Sequence, residues 1–256
     1  MSPQWSYVQA RLQARHGERL NDGDWRALEA ARAVEQYIER SRSTSLRRFA
    51  DHLNAKMSSH AMERMLRMAW RNYVSEIAGW VVPAWKPAVE WVVHVPELPV
   101  IDVVLKGKAP GWTGIDPIFG ALAEVDPQQR APSRKNLRLA PLYPANRSDE
   151  PLAQRWLTHW RSLWPQHRGP DCEGLAKLSD AVKDHVQRLA QVGIRDTSGP
   201  YRRDLAHHLT GIFRRRSGTP VAVFCHLALV ALDLERLRGG LVRRRLFEPG
   251  TAVGAT

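Results

Sequence analysis

The sequence predicts an all-α protein built as a multi-helix bundle. Apolar residues recur every three or four positions through both terminal parts of the chain, and helix-capping residues precede several of these stretches. Of the 17 prolines, 13 lie between positions 83 and 170, where they interrupt long helices. We therefore expect an N-terminal helical bundle (1–95), a Pro/Gly-rich irregular segment (96–147) and a C-terminal helical bundle (148–256), packed as one compact unit.

The first predicted helix contains the stretch YVQARLQAR. Because residues four apart are neighbours on a helix, Val8 and Leu12 share one face. Tyr7, Arg11 and Arg15 form an aromatic and basic stripe beside that face. This stripe is either the solvated side of a terminal helix or a feature with a specific place in the architecture.

The second predicted helix begins at Asp22 or Asp24 as N-cap and runs to about Arg40. Trp25 and Leu28 belong to its apolar face. A short helical segment with apolar residues three to four apart follows it.

The strongest helical periodicity lies in residues 60–82. The pattern predicts one continuous apolar face for packing, made of Met62, Met65, Leu66, Ala69, Trp70, Tyr73, Val74, Ile77 and Trp80. The opposite, solvated side is expected to carry Glu63, Arg64, Arg67 and Arg71.

The middle of the chain has weaker signals. VIDVVLKG (100–107) is either a short strand, because of its β-branched content, or the end of a buried helix. The residues after it are rich in turn formers, with one helical turn expected around Ile118–Val125. This is where the architecture is expected to be least regular.

Regular helix is predicted again after Ser148, a plausible N-cap. Four large apolar residues then recur every four positions: Leu152, Trp156, Trp160 and Trp164. This spacing favours helix packing over the alternative, which is base stacking on the tryptophans.

Three further helices are predicted towards the C-terminus. The first spans about 175–192 and is closed by Gly193, and the second begins at Ser198. Thr219 and Pro220 start the last one, as N-cap and first helical residue. It is apolar on nearly every side until Asp233, so we place it at the centre of the core.

Motifs for catalysis, metal binding or cofactor binding are missing from the sequence. It lacks GxGxxG, GxSxG, HExxH and a phosphate-binding loop, and its ten histidines and two cysteines show no zinc-ligand spacing. Asp233 and Glu235 are interpreted as surface ion pairs. We expect a non-enzyme without cofactor or metal, although a site assembled from distant residues of the middle segment stays open.

The charge is strongly positive, at +12, and most of it comes from arginine. Such a surplus favours an anionic partner, which is nucleic acid, phospholipid headgroups or an acidic protein surface, unless it is only a solvated face. The candidate partner contacts are two runs of three arginines, Arg214, Arg215, Arg216 and Arg243, Arg244, Arg245.

The apolar runs are too short for a membrane span. The longest nearly uncharged one covers positions 220–232, against about 20 residues needed to cross a bilayer. The N-terminus has no secretory signal, and two cysteines in a chain of this size are typical of reduced intracellular thiols. We expect a cytoplasmic protein that associates peripherally with the inner face of a membrane.

Both ends of the chain resemble the C or d subunits of V-type and A-type rotary ATPases. These subunits begin with a Tyr-x-x-Ala-Arg helix, matched here by Tyr7, Ala10 and Arg11, and an acidic turn with an aromatic-x-x-Leu pattern follows, matched by Trp25 and Leu28. Residues 220–247 look like the closing helix of the family, with its acidic residue and Leu-Arg pair at Asp233, Leu237 and Arg238.

The resemblance implies a shortened and divergent member of a non-catalytic family. Its members are all-helical, with related bundles arranged as a funnel that rests on the proteolipid ring of the membrane and receives the central stalk. Tyr7 and Arg11 would then hold the first helix in the bundle, and exposed arginines would contact acidic stalk or ring surfaces. The alternative function is that of an arginine-rich helical protein that binds nucleic acid non-specifically.

Overall fold

The computed structural model confirms the all-α class. Within the part of the chain that it describes, the regular structure is helical and contains no strand. The described residues are 3–106, 108, 116, 119, 139–143, 150–165, 169–192 and 198–246.

The helices divide between two compact units. The first unit comprises Met1–Val82 and Gln166–Thr256, and the second comprises Pro83–Pro165. The α-helices of the first unit are α1 (Pro3–Gly17), α2 (Asp22–Glu29), α3 (Val34–Arg42), α4 (Arg47–Ala50), α5 (Ser59–Ala78), α9 (Pro170–Val192), α10 (Ser198–Arg215) and α11 (Pro220–Leu246). Those of the second unit are α6 (Lys86–Trp91), α7 (Leu98–Leu105) and α8 (Leu152–Ser162), with 3₁₀ turns at Pro83–Trp85 and Val92–Glu97.

This division differs from the three consecutive segments expected from the sequence. The first unit joins helices from both ends of the chain, and the second is one continuous stretch that crosses both predicted boundaries. The physical reason lies in α11, which contacts α1, α3 and α5 as well as α9 and α10. A helix that is apolar on all sides needs cover from every direction, and the C-terminal helices alone do not supply it.

The second predicted helix is two helices, so a single helix to Arg40 was wrong. Its N-cap is Asn21, whose Oδ1 accepts hydrogen bonds from the backbone N–H groups of Gly23 (2.7 Å) and Asp24 (3.0 Å). The Asp24 carboxylate accepts from the Asn21 N–H in return (3.0 Å), which completes a capping box.

The break between α2 and α3 is stabilised by a contact from the far end of the chain. The guanidinium of Arg244 donates hydrogen bonds to the carbonyls of Ala31 (2.8 Å) and Glu29 (2.7 Å). Terminal carbonyls of a helix have no partner inside it, so an external donor favours ending α2 there. The helical periodicity across 25–38 contains no sign of that donor.

Helix α5 has the predicted apolar face but ends earlier, at Ala78, and is capped at its start by Ser58. Arg67 departs from the prediction: it was expected on the solvated side, yet it is only 8% exposed. Glu63, one turn before it, lies 3.6 Å from its guanidinium and supplies a countercharge.

In the second unit, residues 98–105 form α7, so the helix alternative for this stretch is confirmed. Apart from Phe119, the predicted turn at Ile118–Val125 lies outside the described residues, as do the predicted caps Ser148 and Gly193. The N-cap position of α8 is Pro151.

The tryptophans of α8 pack inside the second unit, as their spacing favoured. Trp156 stacks on Trp160 with 5.7 Å between ring centroids, and Trp160 meets the edge of Trp164 at 5.0 Å. The indole N–H of Trp91 donates to the Trp156 carbonyl (3.2 Å), and the Trp156 indole N–H donates to the Trp91 carbonyl (3.3 Å). This reciprocal pair joins α6 to α8.

At Gly240 of α11 the surrounding residues leave no room for a side chain. A Cβ at Gly240 would clash with the Tyr37 hydroxyl oxygen, whereas a Cβ at Gly239 meets nothing within 4 Å. We expect Gly240→Ala to lower the free energy of unfolding by about 1–3 kcal/mol, because the buried Tyr37 ring must shift. Gly239→Ala should raise it by about 0.5–1 kcal/mol through helix propensity. Chemical denaturation of both variants measures this, and equal effects would contradict the packing of α3 on α11.

Candidate functional site

Helix α1 lies between α5 on one side and the α10–α11 connection on the other. Val8 and Leu12 are its buried apolar residues, together with the side chain of Gln9. A row of polar and aromatic contacts attaches it to α10 and the following turn: Gln9 Oε1 accepts from Gly218 N (2.7 Å), Gln13 Nε2 donates to Ser217 Oγ (3.5 Å), and His16 stacks on Phe213 (4.4 Å between centroids).

The other side of α1 carries the stripe seen in the sequence, and it forms what we call the aromatic–guanidinium stack: Tyr7, Arg11, Trp80, Arg15 and Tyr73. The Arg11 guanidinium carbon lies 5.5 Å from the Tyr7 ring centre and 4.3 Å from that of Trp80. That of Arg15 lies 5.3 Å from Trp80 and 5.5 Å from Tyr73. Cations alternate with aromatic faces, so each arginine gains two cation–π contacts.

Carboxylates neutralise part of this stack. Arg15 pairs with Glu76 of α5 at 2.6 Å. Arg48, whose guanidinium carbon lies 5.3 Å from the Tyr73 ring centre, pairs with Glu18 at 3.3 Å. The stripe of Tyr7, Arg11 and Arg15 therefore has a specific place in the architecture, next to α5, and is not only the solvated side of a terminal helix.

At its C-terminal end, α1 is bound to α11 by a pair of opposite charges. Arg19 Nε lies 2.7 Å from Asp233 Oδ2, and Arg19 Nη2 lies 2.9 Å from Asp233 Oδ1. Asp233 is 9% exposed, so it is not the surface residue that we expected. Burial raises the pKa of the Asp233 carboxyl, while the hydrogen bonds and charge of Arg19 act in the opposite direction.

Next to this pair lies a buried hydrogen bond between Tyr73 and His226, with 2.6 Å between the hydroxyl oxygen and Nε2. Burial, with the charge of Arg19 as the next cause, lowers the pKa of His226 to about 3. Burial and the charge of Arg19 also lower the pKa of His16, to about 4. Both imidazoles are therefore neutral at physiological pH. A neutral buried imidazole with so low a pKa, hydrogen-bonded to a tyrosine, is a packing element and not a general base poised near pH 7.

Arg244 is one of the six arginines that the sequence offered as candidate partner contacts, but its side chain is not at the surface. It is buried, its guanidinium carbon lies 3.9 Å from the Tyr37 ring centre, and it caps α2 as described above. Desolvation lowers the pKa of Arg244.

The remaining arginine candidates lie at two separate places. Arg214 and Arg215 are exposed and Arg216 is half-buried, just before α11 begins. Arg243 is exposed and Arg245 half-buried near its other end. About 35 Å of helix separates the two groups at 1.5 Å per residue, so they form no single basic patch.

The residues that carried the family resemblance fall into two classes. Trp25, Leu28 and Leu237 are buried core residues, and Asp233 is the buried partner of Arg19. The exposed ones are Tyr7, Ala10, Arg11 and Arg238, of which Arg238 pairs with Glu63 at 2.8 Å.

Sequence reasoning missed Arg19, which lies 214 positions from its partner. One signal pointed towards such a partner: Asp233 ends an otherwise apolar stretch placed at the core, and a buried carboxylate requires a cation. Choosing Arg19 among 38 basic residues required the tertiary structure.

The residues with described positions include no group of three or more His, Cys, Asp or Glu arranged to hold a metal ion. An open cavity of about 560 Å³ near α4 is lined by Ser43, Thr44, Ser45 and by the ion pairs Arg48–Glu18 and Arg47–Asp51. No helix in the described ranges has the length and apolar character needed to cross a bilayer.

Comparisons with known proteins add no relative: no family model, curated protein or solved structure matches this chain.

We expect Arg19→Leu or Asp233→Leu to lower the free energy of unfolding by about 3–5 kcal/mol, because each leaves one buried charge without its partner. The double variant should cost less than the sum of the two, which a double-mutant cycle by denaturation measures. Glu235→Gln removes the more exposed pair with Arg202 and should cost at most about 1 kcal/mol. Additive effects of the Arg19 and Asp233 changes would contradict the pairing.

Stability should fall with acidity partly through His226. Its pKa is lowered in the folded state, so between its ordinary value and about 3 the unfolded chain binds a proton that the folded chain does not. This contribution is complete above the ordinary pKa and should decrease by about 2 kcal/mol between pH 7 and 5. In His226→Asn the slope of unfolding free energy against pH should be shallower over this interval. His16 contributes equally to the slope in the parent protein and in the variant, so it does not affect their difference. Equal slopes would therefore contradict the burial of a neutral His226.

Proposed function

We propose that this chain is a non-catalytic adaptor subunit of a V-type or A-type rotary ATPase, which couples the membrane proteolipid ring to the soluble part of the complex during proton or sodium transport. One observation carries the proposal. The first two helices and the last one, which hold the residues of the resemblance, belong to one unit, where Arg19, two residues after α1 ends, pairs with Asp233 of α11. The two ends of the chain thus meet as parts of one structure.

The distribution of ion pairs suits a part that transmits force. Three pairs, in addition to Arg19–Asp233, join helices that are far apart in sequence: Arg15–Glu76, Arg236–Glu29 and Arg238–Glu63. The Arg236 guanidinium binds both oxygens of Glu29 (2.7 and 2.9 Å) and lies over the Trp25 ring at 4.5 Å. Such bidentate, stacked contacts fix the orientation of neighbouring helices and resist shear between them.

The proposed partners are the central stalk and the proteolipid ring, with the chain held peripherally at the cytoplasmic side of the membrane. Arg214 and Arg215 are exposed cations in the last turn of α10, and Arg243 is an exposed cation near the C-terminal end of α11. Their separation suits contacts with two acidic protein surfaces better than one continuous nucleic-acid groove, which needs cations side by side.

The experiment is purification of the tagged full-length chain from its own membranes, with nuclease treatment before elution. The expected result is recovery of proteolipid and stalk subunits in fixed ratio, unchanged by the nuclease. An untagged strain is the control for carry-over.

Two results would contradict the proposal. One is recovery of the chain alone. The other is recovery with nucleic acid that is lost as salt rises, which would support the nucleic-acid alternative through counterion release.

A further inference from the structure

Arg11 differs from the other arginines around the aromatic–guanidinium stack. Arg15 and Arg48 have carboxylate partners in Glu76 and Glu18, and Arg19 beyond them has Asp233. Arg11 forms no ion pair within the described ranges. Its hydrogen bond goes to the Tyr7 hydroxyl, which accepts from Nη1 at 2.5 Å.

The Arg11 guanidinium is nevertheless held in place. Its carbon lies 4.3 Å from the Trp80 ring centre, and the hydrogen bond to Tyr7 restrains it further. A guanidinium has five N–H donors, so most of those on Arg11 are left for a ligand. Because the side chain is already ordered, a ligand loses less conformational entropy on binding than at a mobile surface arginine.

The surroundings of Arg11 have the composition of a protein-binding hot spot. Tyr7 is 52% exposed, which makes it one of the large hydrophobic residues that the described surface leaves open. Tyrosine, tryptophan and arginine are the residues enriched where binding energy concentrates in protein interfaces. Tyr7 and Arg11 are exposed on α1, and Trp80, two residues after α5, is buried and lies against the Arg11 guanidinium, so all three residue types occur at one place.

We propose that Arg11 and Tyr7 form a docking site for a carboxylate of an Asp or Glu side chain on a partner protein. The carboxylate binds the free N–H edge of Arg11, and the neighbouring partner surface packs on Tyr7. This inference rests on the proposed function, since it assigns a contact within that assembly.

A protein carboxylate fits this site better than a polyanion. Glu76 and Glu18 pair with Arg15 and Arg48, so Arg11 is the one arginine over these rings without a carboxylate partner among the described residues. Phosphodiester backbones and anionic bilayers gain affinity from several adjacent cations. A single ordered guanidinium matches a single carboxylate.

The test places a photoreactive amino acid at Ala14, which is exposed and lies one helical turn from Arg11. The full-length chain is cross-linked in its own membranes and the cross-linked peptide is identified. We expect a partner-protein peptide with an Asp or Glu near the attachment point. Arg11→Gln should lower the yield about tenfold or more, and Arg11→Lys should lower it less, because lysine keeps the charge without the bidentate geometry.

The matched control is Arg26→Gln, at another exposed arginine of the first unit, which should leave the yield unchanged. Thermal unfolding of each variant separates lost docking from lost folding. A charge swap completes the test: Arg11→Glu should abolish the cross-link, and replacing the identified partner carboxylate by arginine should restore it.

The outcomes separate this inference from the proposed function. If wild-type protein recovers no ATPase subunits from membranes, the proposed function fails and this inference fails with it. If it recovers them but the Arg11 variants cross-link as wild type does, only the docking site is overturned. Cross-links to lipid or nucleic acid in place of a protein, or no rescue by the charge swap, would also overturn it.

Discussion

Helix α11 is apolar around most of its circumference, and the arrangement of the first unit follows from the need to keep that surface away from water. Its buried apolar residues run from Pro220 to Leu241 on successive turns. Helices from both ends of the chain pack against it, among them α1, α3, α5, α9 and α10. Because hydrophobic burial has no direction, it brings these helices together but leaves their orientations open.

Polar contacts set those orientations. Arg19 and Asp233 align α1 with α11, Arg244 ends α2 against α11, and the aromatic–guanidinium stack aligns α1 with α5. Many of the arginines that give the chain its net charge of +12 therefore serve as internal cross-links. Arginine suits this use because its planar group stacks on a ring and binds two acceptors at the same time.

Helical periodicity was enough to predict the fold class, the apolar face of α5 and the central place of α11. Each is a local property, because the apolar pattern along one helix decides which side is buried. Helical periodicity could not predict the break between α2 and α3, because the donor that stabilises this break is Arg244, some 200 positions away. Arg67 was misplaced for a related reason: its burial depends on neighbours that the pattern of α5 does not contain.

The sequence by itself determined that the protein is helical, that Tyr7, Arg11 and Arg15 share one side of the first helix, and that two arginine runs follow late in the chain. Only the tertiary structure decided that Arg15 has a carboxylate partner while Arg11 has none among the residues the structure describes, and that Arg244 is buried while Arg243 is exposed. Spacing along a helix is set by local backbone geometry, whereas the partner of a charge is set by which distant segments the burial of apolar surface brings within a few ångströms.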